Sequence, residues 1–222
     1  MSGRLITFEG GEGTGKSSHA AMVVERLRAL GITVRQTREP GGTVGAEIIR
    51  HVLLSGAARP LGPSAEAVLV AAARDDHLKV LIRPALARGY WVVCDRFIDS
   101  TRVYQGILGH VAPSVIRALE RIVVADTMPD LTFVLDAPAE TGLRRAHARR
   151  GDNGADRFEQ EALSFHETLR QGFRAIAAVE TERCVLIDTT APQQEVADQI
   201  WRTVQERLLP AQPTQRLQGA VP

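Results

Sequence analysis

The chain has 222 residues, of which 44% are hydrophobic and 24% charged, and its formal net charge is +1. This length suits one domain with a substantial core, and the composition is typical of a soluble globular protein. A charge so close to zero argues against broad binding to nucleic acid or to a membrane surface, and no apolar run approaches the roughly 18 residues that a membrane span needs. Because the N-terminus carries no signal-peptide pattern, we expect a cytoplasmic protein.

Short apolar strands alternate with helices along the chain. The predicted strands are Leu5–Phe8, Thr33–Thr37, Trp91–Cys94, Leu131–Leu135 and Cys184–Ile187. The predicted helices are Lys16–Leu30, Val44–Leu54, Ser64–Ala87, Pro113–Val124, Ala139–Arg149, Arg157–Val179 and Pro192–Leu209. This alternation predicts an α/β fold of three layers, with a five-stranded parallel sheet between helices and ligands at the carboxyl ends of the strands. We expect residues 1–209 to form one domain and the proline-bearing stretch 210–222 to form a flexible tail.

The segment after the first strand matches a phosphate-binding loop. Residues 10–17 read Gly-Gly-Glu-Gly-Thr-Gly-Lys-Ser between a strand and a helix, the pattern G-x-x-x-x-G-K-[ST] in its proper context. Glycines let backbone N–H groups surround a polyphosphate, and the helix N-terminus adds partial positive charge. The alternative is a flexible Gly-rich turn that binds nothing. The pattern predicts that a nucleoside triphosphate binds at Gly10, Gly11, Glu12, Gly13, Thr14, Gly15, Lys16 and Ser17.

Charged residues also follow the second and third strands. Arg38 and Glu39 precede a Pro-Gly-Gly turn, for which a capped helix start with solvated charges is the alternative. Asp95 can hold Mg²⁺ and Arg96 offers a planar fork to a phosphate, although these two residues can equally form a structural salt bridge. Arg74, beside an aspartate in a helix, by itself indicates only a solvated face.

An arginine-rich segment at about residues 144–159 predicts a lid. It holds five arginines around a Gly-Asp-Asn-Gly break. A polar hinge between two helices can move over a phosphate site, where guanidinium groups stabilise the charge of a transferring phosphoryl group and exclude water. The alternative is an exposed basic helix end, with Arg149 and Arg150 favourable near the C-terminal dipole.

The order and spacing of these motifs resemble the thymidylate kinase (dTMP kinase) family of nucleoside monophosphate kinases over nearly the whole chain. The motifs are Phe8-Glu9-Gly10, residues 37–43, Ala72-Ala73-Arg74, Asp95-Arg96 with Ser100-Thr101, Tyr104-Gln105-Gly106, residues 129–132 with Leu135-Asp136, and residues 156–159. The resemblance implies a P-loop NTPase-type fold that transfers the γ-phosphoryl group of ATP to dTMP, with Mg²⁺, in dTTP biosynthesis. It also implies a homodimer.

On the phosphoryl-donor side, the resemblance places Lys16 on the ATP phosphates, and Ser17 and Asp95 on Mg²⁺. Some members carry an arginine in the loop just after the acidic residue, where this chain has Gly13. The chain is therefore similar to the members that supply a catalytic cation from the lid, and which lid arginine does so stays open. The catalytic residues that the resemblance implies are Lys16, Arg96, Arg149, Arg150 and Arg157.

On the acceptor side, the resemblance implies that Arg74 binds O4 of thymine, Arg96 the phosphate and Glu12 the region of the 3′-hydroxyl. Tyr104 would crowd the 2′ position and so help to exclude ribonucleotides, with Gln105 near the base. The full set of implied substrate-binding residues is Glu12, Arg38, Glu39, Pro40, Val70, Arg74, Arg96, Ser100, Tyr104 and Gln105.

Two residues depart from the family's pattern. Val70 stands where the family commonly stacks a phenylalanine on thymine, and Val103 replaces a common alanine and is expected to add bulk near the sugar. Stacking on an aromatic ring is worth about 1–3 kcal/mol per base, so a weaker or shifted base preference is expected. Two alternatives therefore stay open: a nucleoside or nucleotide kinase of the same fold with a different acceptor base, and a P-loop ATPase or switch protein.

Overall fold

The computed structural model describes residues 3–150, 158 and 160–209, with Arg150 described by its backbone alone. In this part of the chain, five parallel strands form one sheet in the order β2-β3-β1-β4-β5. The strands are Leu5–Gly10 (β1), Val34–Arg38 (β2), Trp91–Asp95 (β3), Leu131–Asp136 (β4) and Cys184–Asp188 (β5). The sequence prediction of all five strands is confirmed. Each strand continues past its predicted carboxyl end, and these added residues include Glu9, Arg38, Asp95, Asp136 and Asp188.

Helices cover both faces of the sheet. Their bounds are Lys16–Ala29 (α1), Val44–Leu54 (α2), Gly62–His77 (α3), Arg83–Ala87 (α4), Ile98–Thr101 (α5), Pro113–Val123 (α6), Ala139–Arg150 (α7), Leu163–Val179 (α8) and Gln193–Leu208 (α9). No helix in the described part of the chain is long and apolar enough to cross a membrane.

A hydrophobic core lies on each face of the sheet. Side chains alternate between the two faces of a strand, so Ile6 and Phe8 of β1 pack with α1 and α9, whereas Leu5 packs on the other face with α4 and α6. The Phe8 and Phe133 rings lie 5.2 Å apart at the centre of the first core. The sheet is therefore packed on both faces, and the carboxyl ends of its strands are a firm base for the loops that follow them.

The prediction of one continuous helix over Ser64–Ala87 is wrong. The segment forms α3, then a π-helical turn at Leu78–Ile82, then α4. Pro84 at the start of α4 has no N–H to donate to the preceding turn, which accounts for a break at this point. A second π-helical turn, Arg102–Leu108, continues α5 and was not predicted.

Two other sequence predictions fall at the edges of the described residues. The helix predicted from Arg157 begins at Leu163 as α8, and residue 157 itself lies outside the described part. The predicted tail at 210–222 also lies outside it.

Candidate active site

The phosphate-binding loop connects β1 to α1, as predicted. Gly13 has a φ of +66°, a conformation that favours glycine. A β-carbon on Gly13 would lie 1.9 Å from the carbonyl oxygen of Gly142 in α7. The loop therefore packs directly against α7, and any larger residue at position 13 would push the two apart.

The Lys16 side chain folds back on the loop. Lys16 is buried and its Nζ donates to the carbonyl oxygen of Gly11 at 2.5 Å. Burial, helped by the positive charge of Arg96, lowers the pKa of Lys16 to about 8. The lysine therefore still carries its charge at neutral pH.

Ser17 and Asp95 meet where β3 ends. The Ser17 hydroxyl donates to the Asp95 carboxylate, and both residues line the same cavity as Lys16. Mg²⁺ prefers oxygen ligands and is commonly held by one or two protein oxygens together with substrate phosphates. This hydroxyl and carboxylate, in the same cavity as Lys16, fit such an ion.

A cavity of about 280 Å³ lies next to the loop, at the carboxyl ends of β2 and β3. It brings together most of the residues predicted from the sequence, namely Glu12, Gly13, Gly15, Lys16, Ser17, Arg38, Glu39, Pro40, Val70, Arg74, Asp95, Arg96, Ser100, Tyr104, Gln105 and Arg149. Gly10, Gly11 and Thr14 line instead a separate cavity of about 20 Å³.

Arg74 is buried rather than solvated, with 4% of its surface exposed. Its Nε donates to Glu39 Oε2 at 2.7 Å, Nη1 to Thr101 Oγ1 at 3.0 Å and Nη2 to the carbonyl oxygen of Phe97 at 2.8 Å. The other oxygen of Glu39 lies 3.0 Å from Nδ1 of the buried His77. The guanidinium is therefore held from several sides, and the solvated-face alternative for Arg74 is wrong.

Arg96 pairs with Glu12 rather than with its neighbour Asp95. Its Nη2 donates to Glu12 Oε1 at 2.5 Å and its Nη1 to the carbonyl oxygen of Gly10 at 3.1 Å. The guanidinium carbon lies 5.3 Å from the centre of the Tyr104 ring. Arg96, Glu12 and Tyr104 thus form one cluster in the cavity, and the salt-bridge alternative for Asp95 and Arg96 is wrong.

The electrostatics of this cluster keep both charges in place. Burial would raise the pKa of Glu12, but the charges of Arg96 and Lys16 outweigh it and hold the pKa at about 2. Burial would likewise lower the pKa of Arg96, but Tyr104, Glu12 and Asp95 raise it above its usual value. The cavity therefore holds a fully ionised pair.

The lid prediction is only partly within the described residues. Arg149 is exposed near the end of α7 and lines the cavity. The Arg150 side chain and residue 157 lie outside the described part of the chain. Phe158 also lines the cavity, and its ring meets that of Tyr104 edge to face at 5.1 Å.

The two departures from the family's pattern have different positions. Val70 lines the cavity, as expected. Val103 does not line the cavity: it is fully buried and packs with Leu169 and Phe173 of α8. Gly172 leaves the room for it, since a β-carbon there would lie 3.0 Å from Val103.

Sequence reasoning missed some residues of the cavity wall. Those not predicted as site residues are Arg50, Leu53, Leu54, Phe97, Thr101 and Phe158. Arg50, Leu53 and Leu54 stand at i, i+3 and i+4 in α2 and so share one helix face. Arg50 Nη1 donates to the Pro40 carbonyl oxygen at 2.7 Å. Helical spacing was the available signal, but it does not tell which side of α2 faces the cavity.

Comparisons with known proteins agree with these features. A family model described as thymidylate kinase matches residues 8–200. A thymidylate kinase of Bradyrhizobium diazoefficiens is 56% identical over 94% of this chain and 91% of its own length. One of Nitrobacter winogradskyi is 55% identical over 94% of this chain and 91% of its own length.

A solved structure shares the fold as well. The crystal structure of thymidylate kinase from Ehrlichia chaffeensis has a TM-score of 0.75 and 30% identity, over 92% of this chain and 100% of that chain. With the phosphate loop and the arginine-lined cavity at the same sheet edge, these similarities lead to one conclusion. The chain belongs to the thymidylate kinase family.

Proposed function

We propose that this protein transfers the γ-phosphoryl group of ATP to dTMP, giving ADP and dTDP for dTTP synthesis. The observation that carries the proposal is the cavity that joins the phosphate-binding loop to two arginines held by carboxylates, the buried Arg74 and the half-buried Arg96. Such a cavity suits two nucleotides that meet at their phosphates. Neither an ATPase nor a switch protein needs a second, arginine-lined site.

On the acceptor side, the proposed roles are those implied by the family. Arg96 binds the dTMP phosphate, Arg74 binds O4 of the base, and Tyr104 lies beside the sugar. An oxygen of the dTMP phosphate attacks the γ-phosphorus in line, and the bond from that phosphorus to the β–γ bridging oxygen breaks. Catalysis is then positioning and charge stabilisation, without a covalent intermediate.

On the donor side, Lys16 binds the outer phosphates of ATP, and its charge at neutral pH supports this role. Ser17 and Asp95 would hold Mg²⁺, which when bound neutralises charge on the β- and γ-phosphates. We further propose that Arg149, Arg150 or Arg157 adds a guanidinium from the lid, because Gly13 leaves the loop without one. The exposure of Arg149 at the cavity supports this assignment.

The acceptor is tested by measuring ADP release with ATP and Mg²⁺ while dTMP, dUMP, dCMP, dGMP, dAMP and UMP are offered in turn. The proposal predicts the highest kcat/KM with dTMP. Faster turnover with another monophosphate would assign the chain to a different acceptor, which the aliphatic Val70 in the cavity wall keeps as the second candidate. Hydrolysis that no monophosphate stimulates would contradict a kinase altogether.

We also propose that the protein acts as a homodimer in the cytoplasm. Apolar side chains are exposed on two helices that both pack against α3: Val44 and Ile48 on α2, with 84% and 65% of their surface exposed, and Ile122 on α6, with 77% exposed. Light scattering should give twice the mass of the chain, and Ile48→Glu with Ile122→Glu should give single copies. A single-copy mass for the unchanged protein would contradict the dimer.

A further inference from the structure

We propose that Glu9 is a positioning residue, which holds the turn at residues 96–100 so that the Arg96 guanidinium stays at the acceptor phosphate. This assignment rests on the proposed function, since it assumes that Arg96 binds that phosphate. Glu9 is the second-last residue of β1 and is fully buried. It does not line the cavity, so any effect on the reaction must pass through another residue.

The turn at residues 96–100 starts in an unfavourable backbone conformation. Arg96 has a φ of +69°, in the left-handed region that residues with a β-carbon rarely adopt. Phe97, the next residue, has a φ of −157° and a ψ of −136° and leads into α5. Such a turn persists only where its surroundings hold it.

The backbone of β1 contacts this turn on both sides of Glu9. The carbonyl oxygen of Phe8 accepts from the Arg96 backbone N–H at 2.9 Å. The carbonyl oxygen of Gly10 accepts from Arg96 Nη1 at 3.1 Å. The strand thus holds both the backbone and the side chain of Arg96.

Glu9 supplies further acceptors to the turn. Its Oε1 accepts from the backbone N–H of Phe97 at 2.8 Å and from that of Ser100 at 3.2 Å. Its Oε2 is bonded to the Ser100 hydroxyl at 2.6 Å. The Ser100 hydroxyl in turn accepts from Arg96 Nη1 at 3.3 Å. One carboxyl group therefore links the start of the turn, its end and the guanidinium.

Placing a carboxyl group at this point is costly. Burial, and then the negative charge of the nearby Asp99, raise the pKa of Glu9 to about 7. Asp99 is itself buried and paired with Arg183 and Arg102. An apolar residue would suit a buried strand better, so the contacts to the turn are the evident reason for a glutamate.

The test replaces Glu9 and measures steady-state kinetics of the full-length protein, with the monophosphate that the unchanged protein phosphorylates fastest. Glu9→Ala leaves two buried N–H groups and a hydroxyl without their acceptor. Misplacing a group by about 1 Å can cost about 100-fold, so we expect kcat/KM for the acceptor to fall about 100-fold. KM for ATP should stay within about twofold, since Lys16 is untouched. In Glu9→Gln, the side-chain carbonyl still accepts from both N–H groups, and the loss should be smaller, about fivefold.

Thr7→Val is the matched control. Thr7 lies in the same strand, is equally buried, and shares a 2.7 Å hydrogen bond with the Thr132 hydroxyl on β4. Losing this hydrogen bond weakens the strand but removes no direct contact to the turn at residues 96–100. We expect unchanged kinetics for this variant. An equal loss in Thr7→Val and Glu9→Ala, a fall in kcat/KM below threefold in Glu9→Ala, or a parallel change in KM for ATP would overturn the proposal.

If Glu9→Ala does not fold, the double variant that combines Glu9→Gln with Arg96→Ala tests whether Glu9 acts through Arg96. A residue that acts only through Arg96 has no further effect once the guanidinium is gone. The fall in kcat/KM seen in Glu9→Gln alone should then vanish in the Arg96→Ala background. An undiminished fall in that background would contradict the assignment, and so would unchanged kcat/KM in Glu9→Gln itself. Since the acceptor is chosen by the unchanged protein, a preference for another base refutes the dTMP assignment without deciding on Glu9.

Discussion

Four of the arginines around the cavity form two groups that differ in burial and in partners. The inner arginines are Arg74, which is buried and bonded to the buried Glu39 and the Phe97 carbonyl, and Arg96, which is half-buried and bonded to Glu12 and the Gly10 carbonyl. The rim arginines, Arg38 and Arg149, are exposed, and Arg38 pairs with Glu47, whose side chain is itself 41% exposed. We therefore expect the inner group to be held before substrate binds and the rim group to move more readily.

This difference has an energetic meaning. A guanidinium that is already in place costs little entropy when a phosphate binds, and it acts in a poorly solvated site where its charge is strongest. An exposed arginine must first lose its own freedom and its water. We therefore expect the inner arginines to carry more of the binding and catalysis than an arginine on the rim that does not reach the transferred phosphoryl group.

The largest effect is expected at Arg96. Removing a preorganised donor of this kind costs about 10²–10³-fold in kcat, so Arg96→Ala should approach 10³-fold, whereas Arg38→Ala should cost about tenfold or less. The measurement is kcat and KM for dTMP by coupled ADP release. Similar losses for the two variants would remove the distinction between inner and rim arginines.

The second prediction concerns stability. Glu39 has 3% of its side chain exposed and lies between Arg74 and His77. Glu39→Gln leaves the Arg74 charge buried without its partner, which should cost about 3–5 kcal/mol in the free energy of unfolding. The control is Asp75→Asn in the exposed Asp75–Lys79 pair, where about 0.5 kcal/mol or less is expected. Urea unfolding of both variants measures the difference, and equal midpoints would contradict it.

The third prediction concerns the arginines of the lid. Among single alanine variants at Arg149, Arg150 and Arg157, at least one should lower kcat by about 100-fold and weaken ATP binding less. Arg144→Ala is the matched control, because Arg144 is exposed on α7 and does not line the cavity. Full kcat in all three variants would show that the lid supplies no catalytic cation.

The smallest effect is expected at Val70. Val70→Phe should add stacking on thymine, worth about 1 kcal/mol at the low end of the range for bases on aromatic rings, and so lower KM for dTMP about fivefold. Val70→Leu adds volume without a ring and should not do so. An equal gain in both variants would mean that apolar area, and not stacking, sets the affinity here.

The fold was predictable because its signals are local. Buried strands, glycines of the phosphate loop and helix periodicity are all visible in short windows of sequence. The π-helical turns at Leu78–Ile82 and Arg102–Leu108 were missed, since a π-helical turn leaves almost no pattern in the sequence.

The site was predictable in its members but not in its contacts. Arg74 beside Asp75 has the sequence pattern of a solvated helix face. Its burial is visible only in the structure, where Glu39 and Phe97, both distant in sequence, contact its guanidinium. The same holds for Val103, whose side chain turns away from the cavity toward Gly172. Long-range packing decides such cases, and residue type and spacing do not record it.

Crystal structures with and without dTMP would test most directly whether the inner arginines are in place beforehand. We expect Arg74 to keep its bonds to Glu39, Thr101 and Phe97, and Arg96 to keep its bond to the Gly10 carbonyl, while Arg38 or Arg149 moves. A change of protein partners at Arg74 or Arg96, with the rim arginines in place, would contradict a preformed inner group.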